Sequence, residues 1–122
     1  MEDIKWIKLD LGLFDNGKIK QLRNLKDGDT IIVIWIFLLT LAGKHNDGGQ
    51  VLLTEGVPYD ADMIADEGRF KLSVVNLALA QFEKYNMIER EDGVIRLRGW
   101  TKYQSVGKLD GLREYNRNAQ AK

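Results

Sequence analysis

The chain has 122 residues, 44% of them apolar and 30% charged, which is the size and composition of a single globular domain. It has no cysteine and one histidine, so the sequence excludes disulfide scaffolds, cysteine-ligated metals, thiol nucleophiles and histidine-rich metal sites within one chain. The formal net charge is zero, but residues 1–95 carry 11 basic and 16 acidic side chains, while residues 96–122 carry 7 basic and 2 acidic ones. Such a basic end hints at nucleic acid, although a solvated tail is the simpler interpretation.

The sequence has no segment typical of secretion or of a membrane span. Its first residues, MEDIKWIKLD, carry acidic side chains and no apolar core, which is unlike a signal peptide. The longest apolar run, Ile31–Leu39, has about half the length that a membrane span needs. We therefore expect a soluble, cytosolic domain of bacterial type, without contact to a membrane.

Two short elements are predicted first along the chain. Residues Ile4–Leu9 are rich in strand-forming side chains and predict a short strand, although their apolar alternation is interrupted. Asp15 is the predicted N-cap of the helix that follows. One face of that helix would carry Ile19, Leu22 and Leu25.

Residues 30–43 are apolar on every side, so periodicity alone does not distinguish a buried helix from buried strands. The length of this run favours a central helix, with Asp29 as the N-cap and Gly43 just after the C-terminus. Its β-branched residues keep strands as the alternative. Residues 43–49 would then form a loop, and Val51–Thr54 a very short strand.

Two helices in tandem are predicted next. Acidic residues after Pro58 favour a helix over residues 59–66, because the helix dipole stabilises negative charge in the first turn. A tight turn at residues 67–69 leads to a longer helix over residues 71–85. The predicted buried stripe of that helix consists of Leu72, Val75, Leu79 and Phe82.

The dipeptide Asp92-Gly93 predicts a two-residue β-hairpin turn, because both of its positions need a positive φ. This turn pairs residues 88–91 with residues 94–97 and sets Glu89 opposite Arg96. The apolar residues of the two strands then share the other face, and these are Ile88, Ile95 and Leu97.

Two tandem helices followed at once by a hairpin indicate a winged helix-turn-helix, in which the hairpin is the wing. The predicted fold class is α+β, mainly α, with a two-stranded β wing. We expect residues 1–106 to form a winged-helix DNA-binding domain. Residues 107–122 would form a basic C-terminal tail, or a helix carrying Leu109, Leu112 and Tyr115, that leads to an absent C-terminal domain.

Five ordered blocks between residues 3 and 118 carry a family resemblance: IKWIKL…LFDNGKIK, DGDTIIVIWIFLLTLAGKHNDGG, LTEGVPY, LALAQFEKYNMIE and DGVIRLRGWTKYQ. With these blocks the chain resembles the N-terminal domain of phage replisome organizer proteins and, more weakly, DnaD-type primosomal proteins and plasmid initiators. The resemblance implies a winged helix that binds a replication origin. It also implies host helicase-loading machinery as a partner, recruited through a further C-terminal region that is absent here.

The predicted DNA contacts begin at the helix over residues 71–85. The second helix of a helix-turn-helix enters the major groove with its N-terminal residues at the base edges. Arg69, Lys71, Ser73 and Asn76 occupy that end, where basic side chains reach phosphates or guanine and asparagine pairs with adenine. The alternative is that they are ordinary exposed residues.

The wing offers further candidates in Arg90 and Arg98. Arg90 lies near the predicted tip, where a phosphate or the minor groove is within reach. Arg96 faces Glu89 and is better explained as a surface ion pair.

No constellation for catalysis, a cofactor or a metal is found. Gly43-Lys44 lacks the phosphate-loop pattern, and His45 has no spaced partner and is interpreted as an exposed loop residue. Capping and solvation explain Asp60, Asp62 and Asp66 better than calcium does. The aromatic residues predicted to lie in the core are Trp6, Trp35, Phe37 and Phe82. We therefore expect no enzyme but a protein that binds duplex origin DNA as a homodimer, with a protein–protein assembly module of a primosome as the alternative.

Overall fold

The part of the chain that the computed structural model describes, residues 4–104, folds around one long helix. In chain order the helices and strands are α1 (Gly17–Arg23), α2 (Gly28–His45), β1 (Leu52–Thr54), β2 (Val57–Pro58), α3 (Ala61–Gly68), α4 (Leu72–Lys84), β3 (Ile88–Glu91), β4 (Val94–Leu97) and α5 (Trp100–Gln104). The tail predicted over residues 107–122 lies outside the described residues.

Helix α2 is covered by other elements on most of its surface, and one stripe that includes Asp29, Val33, Thr40 and Lys44 stays exposed. It packs against α1, α4 and β1 and buries nine of its residues. By length and hydropathy alone α2 could cross a bilayer, but half of it is buried against the rest of the chain, and the central helix of a globular core passes the same test. The predicted central helix is confirmed, and the alternative of strands is wrong.

The start of α2 differs from the prediction. Its N-cap is Asp27 in the left-handed conformation, and the predicted cap, Asp29, lies in the first turn. There the Asp29 carboxylate accepts a hydrogen bond from Nε of Arg23 at 2.8 Å. The helix starts early because Gly28 fits against the end of α1, where a Cβ atom would lie 2.4 Å from the carbonyl oxygen of Arg23.

The end of α2 also extends beyond the prediction. Gly43 lies inside the helix, where the lack of a side chain lets Ile7 pack against it. The left-handed C-cap is Asn46, whose side-chain oxygen accepts a hydrogen bond from Nε1 of Trp100 at 3.0 Å. His45 is therefore the last residue of α2 and half-buried, not an exposed loop residue.

The predicted strand at Ile4–Leu9 is wrong. This segment has no strand partner among the described residues, and a side chain of α5 satisfies part of its backbone. The N–H of Lys8 donates to Oε1 of Gln104 at 2.6 Å, and the carbonyl of Lys8 accepts from Nε2 of Gln104. Reciprocal bonds to one glutamine thus replace a β-ladder, which no local pattern could indicate.

The cap of α1 is one residue later than predicted. Asp15 belongs to a short 3-10 turn, and the N-cap is Asn16, whose side-chain oxygen accepts from the backbone N–H of Lys18 at 2.8 Å. Two of the predicted core residues of this helix are buried. The third, Leu25, follows the end of α1 and is partly exposed.

The predicted strand at Val51–Thr54 is observed as β1, and it pairs with β2, which the sequence did not predict. The residues before β1 extend the wing sheet. The N–H of Val51 donates to the carbonyl of Ile95, and the N–H of Leu97 donates to the carbonyl of Gly49, both at 2.8 Å. Only glycine fits at 49, because φ is +91° and a Cβ atom would lie 2.6 Å from the Leu97 carbonyl oxygen.

Helices α3 and α4 confirm the predicted tandem pair. Asp60 caps α3 and accepts the N–H of Met63 at 2.9 Å, which confirms the capping interpretation. The predicted turn at residues 67–69 is shorter than expected, because α3 continues to Gly68 and only Arg69 adopts the left-handed conformation.

The core face of α4 includes three of the four predicted residues. Val75, Leu79 and Phe82 are fully buried, but Leu72 is 41% exposed because it opens the helix beyond the edge of the core. Val74 and Ala78 complete the buried face.

Three of the four aromatic residues predicted to lie in the core are at least partly buried. The ring of Phe82 is fully buried and meets Trp35 edge-on at a centroid distance of 5.1 Å. Phe37 is partly buried against Phe70 at 5.6 Å. Trp6 is 71% exposed, so its assignment to the core is wrong.

The predicted hairpin is confirmed residue by residue. Strands β3 and β4 pair with Ile88 opposite Leu97 and Glu89 opposite Arg96. Both turn residues have positive φ, +53° at Asp92 and +80° at Gly93. The fold is therefore α+β and mainly α, with two small antiparallel sheets, consistent with a winged-helix-like architecture.

Candidate nucleic-acid interface

The first two turns of α4 present polar side chains to solvent. Lys71 is the N-cap residue, and Ser73 and Asn76 lie on the face opposite the core. All three are exposed, and neither Ser73 nor Asn76 has a side-chain hydrogen bond to another described residue. Their polar groups are therefore available to a ligand along this part of α4.

Arg69 lies at the turn before α4, and its left-handed conformation ends α3. Its exposed side chain lines a shallow depression together with Asp62 and Asp66 of α3. Within residues 4–104 no carboxylate lies within 4.0 Å of its guanidinium. Arg69 thus lies just before the polar face of α4 along the chain, and its nearest charged neighbours in the depression are acidic.

The helix-turn-helix segment as a whole is acidic. Between residues 60 and 84, five carboxylates face three basic side chains, which gives a net charge of −2. They are Asp60, Asp62, Asp66, Glu67 and Glu83 against Arg69, Lys71 and Lys84. Four of the five carboxylates belong to α3 or its cap, so α3 is unsuited to lie against phosphates, and contact with DNA would depend on α4.

Arg90 is paired within the domain. It shares the strand face of Ile88, which turns it toward α4 rather than away from the wing. Its Nε lies 3.0 Å from Oε1 of Glu83, and both side chains are about 40% exposed (38% and 43%). A phosphate contact by Arg90 would have to replace this ion pair.

The other arginines of the wing have separate environments. Arg96 pairs with Glu89 on the outer face, as predicted. Arg98 follows β4 and lines a groove between the N-terminal segment, residues 4–16, and α5, and no residue of α3 or α4 lines this groove. The lining of this groove includes four cationic side chains, Lys8, Lys18, Arg98 and Lys102, and we call it the basic groove.

Sequence reasoning named two of the four cations of the basic groove, Arg98 as a candidate DNA contact and Lys102 only in the charge count. Lys8, Lys18 and Lys102 come from an extended segment, from α1 and from α5. The charge count pointed to the basic residues after position 95, which include Arg98 and Lys102. Nothing in the sequence indicated that Lys8, at least 90 positions earlier, would lie beside them.

Tyr59 has a raised pKa. Its side chain is buried, and burial raises the pKa of the phenol above its usual value of 10.0. A hydrogen bond from its hydroxyl to Glu67, at 3.1 Å, and the negative charge of that carboxylate raise the pKa further. Tyr59 therefore holds α3 in place as a neutral donor.

No group of three or more metal-ligating side chains occurs in residues 4–104. Among the acidic residues considered for calcium, Asp60 is committed to capping α3 through its hydrogen bond to Met63. Asp62 and Asp66 are exposed on the same helix.

A helix pair followed by a hairpin, with a polar solvent face on the second helix, defines a winged-helix-like domain with a candidate nucleic-acid interface. The model of the N-terminal phage replisome organiser family matches residues 6–122. The chain therefore belongs to this family, which supports a role in phage replication. No curated protein and no solved structure showed significant similarity to the chain.

Proposed function

We propose that this domain binds duplex DNA at a phage replication origin, with the N-terminal half of α4 in the major groove. The observation that carries the proposal is the exposed polar face of α4. Lys71, Ser73 and Asn76 line its first two turns, while Val75 and Leu79 fix the opposite face in the core. A helix held in this way presents its polar side chains as a rigid unit, which base readout requires.

Within this proposal the side chains have different roles. Arg69 and Lys71 contact phosphates and position the domain. Asn76, one turn into α4, is placed to pair bidentately with adenine. No catalytic step and no cofactor is assigned, and the protein acts in the cytoplasm of the bacterial host.

The first experiment measures phosphate contacts. The duplex is selected from a random pool with the 122-residue chain, and binding is followed by fluorescence anisotropy at several salt concentrations. The salt slope is the slope of the logarithm of the binding constant against the logarithm of the salt concentration. Arg69→Ala combined with Lys71→Ala should reduce its magnitude by about 2, about 1 for each lost contact. Lys84→Ala, at the far end of α4, is the matched control and should leave the slope unchanged. An unchanged slope in the double variant would move the site away from α4.

The second experiment measures base readout. Asn76→Ala should cost about 1–3 kcal/mol on the selected duplex and almost nothing on a scrambled duplex of the same length and salt. Equal losses of affinity on both duplexes would mean that Asn76 contacts only the DNA backbone. No loss on either would remove it from the interface.

Assembly is a second candidate function, and two observations favour it. The helix-turn-helix segment has a net charge of −2, and two leucines of α4, Leu72 and Leu77, are 41% and 38% exposed. An acidic helix pair with exposed leucines fits a protein partner of the primosome better than a phosphate backbone. Failure of both DNA experiments, with retained folding, would favour this function.

A homodimer is part of the leading proposal, and the N-terminal segment supports it. Large apolar side chains that are more than half exposed cluster there, namely Trp6, Leu9, Leu11 and Phe14. The described part of this segment up to the N-cap of α1, residues 4–16, carries two lysines and two aspartates, so two copies can approach without net repulsion. The host helicase-loading machinery is a further partner in this proposal, and no described residue is assigned to its recruitment.

A further inference from the structure

We propose that the basic groove binds single-stranded nucleic acid, by a surface separate from α4. The groove lies between the N-terminal segment, α1 and α5, and has a volume of about 490 Å³. Asp10 is the one acidic side chain in its lining, so its cations outnumber carboxylates by four to one. The helix-turn-helix segment, by contrast, carries net negative charge.

No carboxylate of the described residues neutralises the cations of the groove. Within residues 4–104, none of the four has a carboxylate oxygen within 4.0 Å. The carboxylate of Asp10 accepts the backbone N–H of Gly12 at 2.6 Å, so it is oriented by its own loop. An anion that enters the groove therefore meets positive charge without having to displace an ion pair.

Lys8 is the strongest indication of a ligand. Its ammonium nitrogen, Nζ, is occluded from solvent and has no hydrogen-bond partner among the described residues. Its backbone is held by both polar atoms of the Gln104 amide, which fixes this segment beside the groove but leaves the side-chain torsions free. A desolvated ammonium without a partner is unfavourable, and rotation of the flexible Lys8 side chain into the groove would let a phosphate oxygen satisfy it.

The rest of the lining suits a nucleotide better than a simple anion. Trp35, Leu13 and Met87 contribute an apolar floor, and the ring of Tyr103 is 57% exposed at the rim. Positive charge combined with an exposed aromatic ring is how single strands are held, because the backbone follows the cations and a base stacks on the ring. A groove of this volume admits one or two nucleotides of a flexible strand, while the stiff duplex would contact only its rim.

The test uses the whole chain, a labelled dT12 strand and a duplex of the same length. Lys8→Met keeps the aliphatic packing and removes the occluded charge. We expect this variant to be at least as stable as the parent protein in thermal unfolding and to bind dT12 at least tenfold more weakly in low salt. Lys20→Met is the matched control, because Lys20 lies on α1 outside the groove lining.

Two further readouts identify the ligand chemistry. The salt slope for dT12 should be about −0.7 to −1.5, since the one or two nucleotides in the groove bring one or two phosphates that each contribute roughly −0.7, and Arg98→Gln should reduce its magnitude by up to about 0.7. Tyr103→Leu should weaken dT12 binding by about fivefold or more at an unchanged slope, since it removes a stacked base and no charge.

Several results would overturn the proposal. Equal dT12 affinity of the Lys8→Met and Lys20→Met variants would show that the groove is not the site. If Lys8→Met weakens binding to the duplex but not to dT12, the groove is part of a duplex-binding surface and not a site for single strands. Displacement of dT12 by polyglutamate at equal charge concentration, with no effect of Tyr103→Leu, would make it a site for acidic proteins. Lys71→Ala must leave dT12 binding unchanged, so this proposal and the proposed contact of α4 with duplex DNA can fail independently.

Discussion

The contact between Gly28 and the end of α1 predicts a large effect of a single methyl group. A Cβ atom at this position would lie 2.4 Å from the carbonyl oxygen of Arg23 and 2.6 Å from that of Leu22. Real Cβ atoms essentially never approach closer than 3.0 Å, so in Gly28→Ala the backbones must separate by at least 0.6 Å. This shift would loosen α1 on α2, where Leu22 is fully buried, and should cost roughly 2–3 kcal/mol.

Equilibrium unfolding in urea measures this cost. For a domain of this size, a loss of 2–3 kcal/mol should lower the midpoint by about 1–2 M at an unchanged m-value. Gly17→Ala is the matched control, because Gly17 also lies at the start of a helix but has no heavy atom within 4 Å of the added Cβ. The control should be neutral or more stable by about 0.5 kcal/mol. Equal midpoints for the two variants would refute the reasoning and show that the junction of α1 and α2 yields at no cost.

Three other predictions concern Tyr59, the wing and the N-terminal segment. Because the pKa of Tyr59 is raised in the folded state, its contribution to stability is complete below pH 10 and is lost as the pH rises through its folded-state pKa. Tyr59→Phe should remove this part of the alkaline destabilisation, which urea unfolding between pH 8 and 11 measures. Glu83→Gln removes the partner of Arg90 and should change stability by less than about 1 kcal/mol, because the pair is largely exposed. Duplex affinity, measured by fluorescence anisotropy, should rise, and an unchanged affinity would exclude Arg90 from the interface. Leu11 is fully exposed, so Leu11→Ser should leave unfolding unchanged and weaken the proposed dimer in sedimentation velocity, and an unaltered dimer would place the interface elsewhere.

The parts of the fold that sequence predicted well are those specified by neighbouring residues. The wing followed from Asp92-Gly93, since a two-residue turn with positive φ fixes the register of both strands. The core face of α4 followed from the spacing of Val75, Leu79 and Phe82. Both features are determined within about ten residues, and the structure reproduces both.

The errors arose where distant residues decide the local structure. The segment around Lys8 is not a strand because Gln104 supplies its hydrogen bonds. The start of α2 was misplaced because Gly28 packs against α1, so that the left-handed Asp27 and not Asp29 is the N-cap. In each case the competing contact comes from another element, which a local pattern does not contain.

The candidate site was predicted in part, for the same reason. Exposure of Ser73 and Asn76 follows from the periodicity of α4, and the structure agrees. The ion pair of Arg90 with Glu83 depends on how the wing folds back against α4, and the grouping of Arg98 with Lys8 depends on both ends of the described chain. Periodicity reports which side chains are exposed, but it does not report which other charges lie beside them.

The reciprocal hydrogen bonds between Lys8 and Gln104 also bear on local unfolding. They join two positions that are 96 residues apart, and they hold an extended segment with no ladder of its own. If α5 frays, the N–H of Lys8 loses its acceptor at the same moment, so the first and last described stretches should open together as one cooperative unit. In a hydrogen-exchange experiment, the amide of Lys8 would therefore exchange at the rate set by the opening of α5, and a ligand in the basic groove would slow both ends of the domain at once.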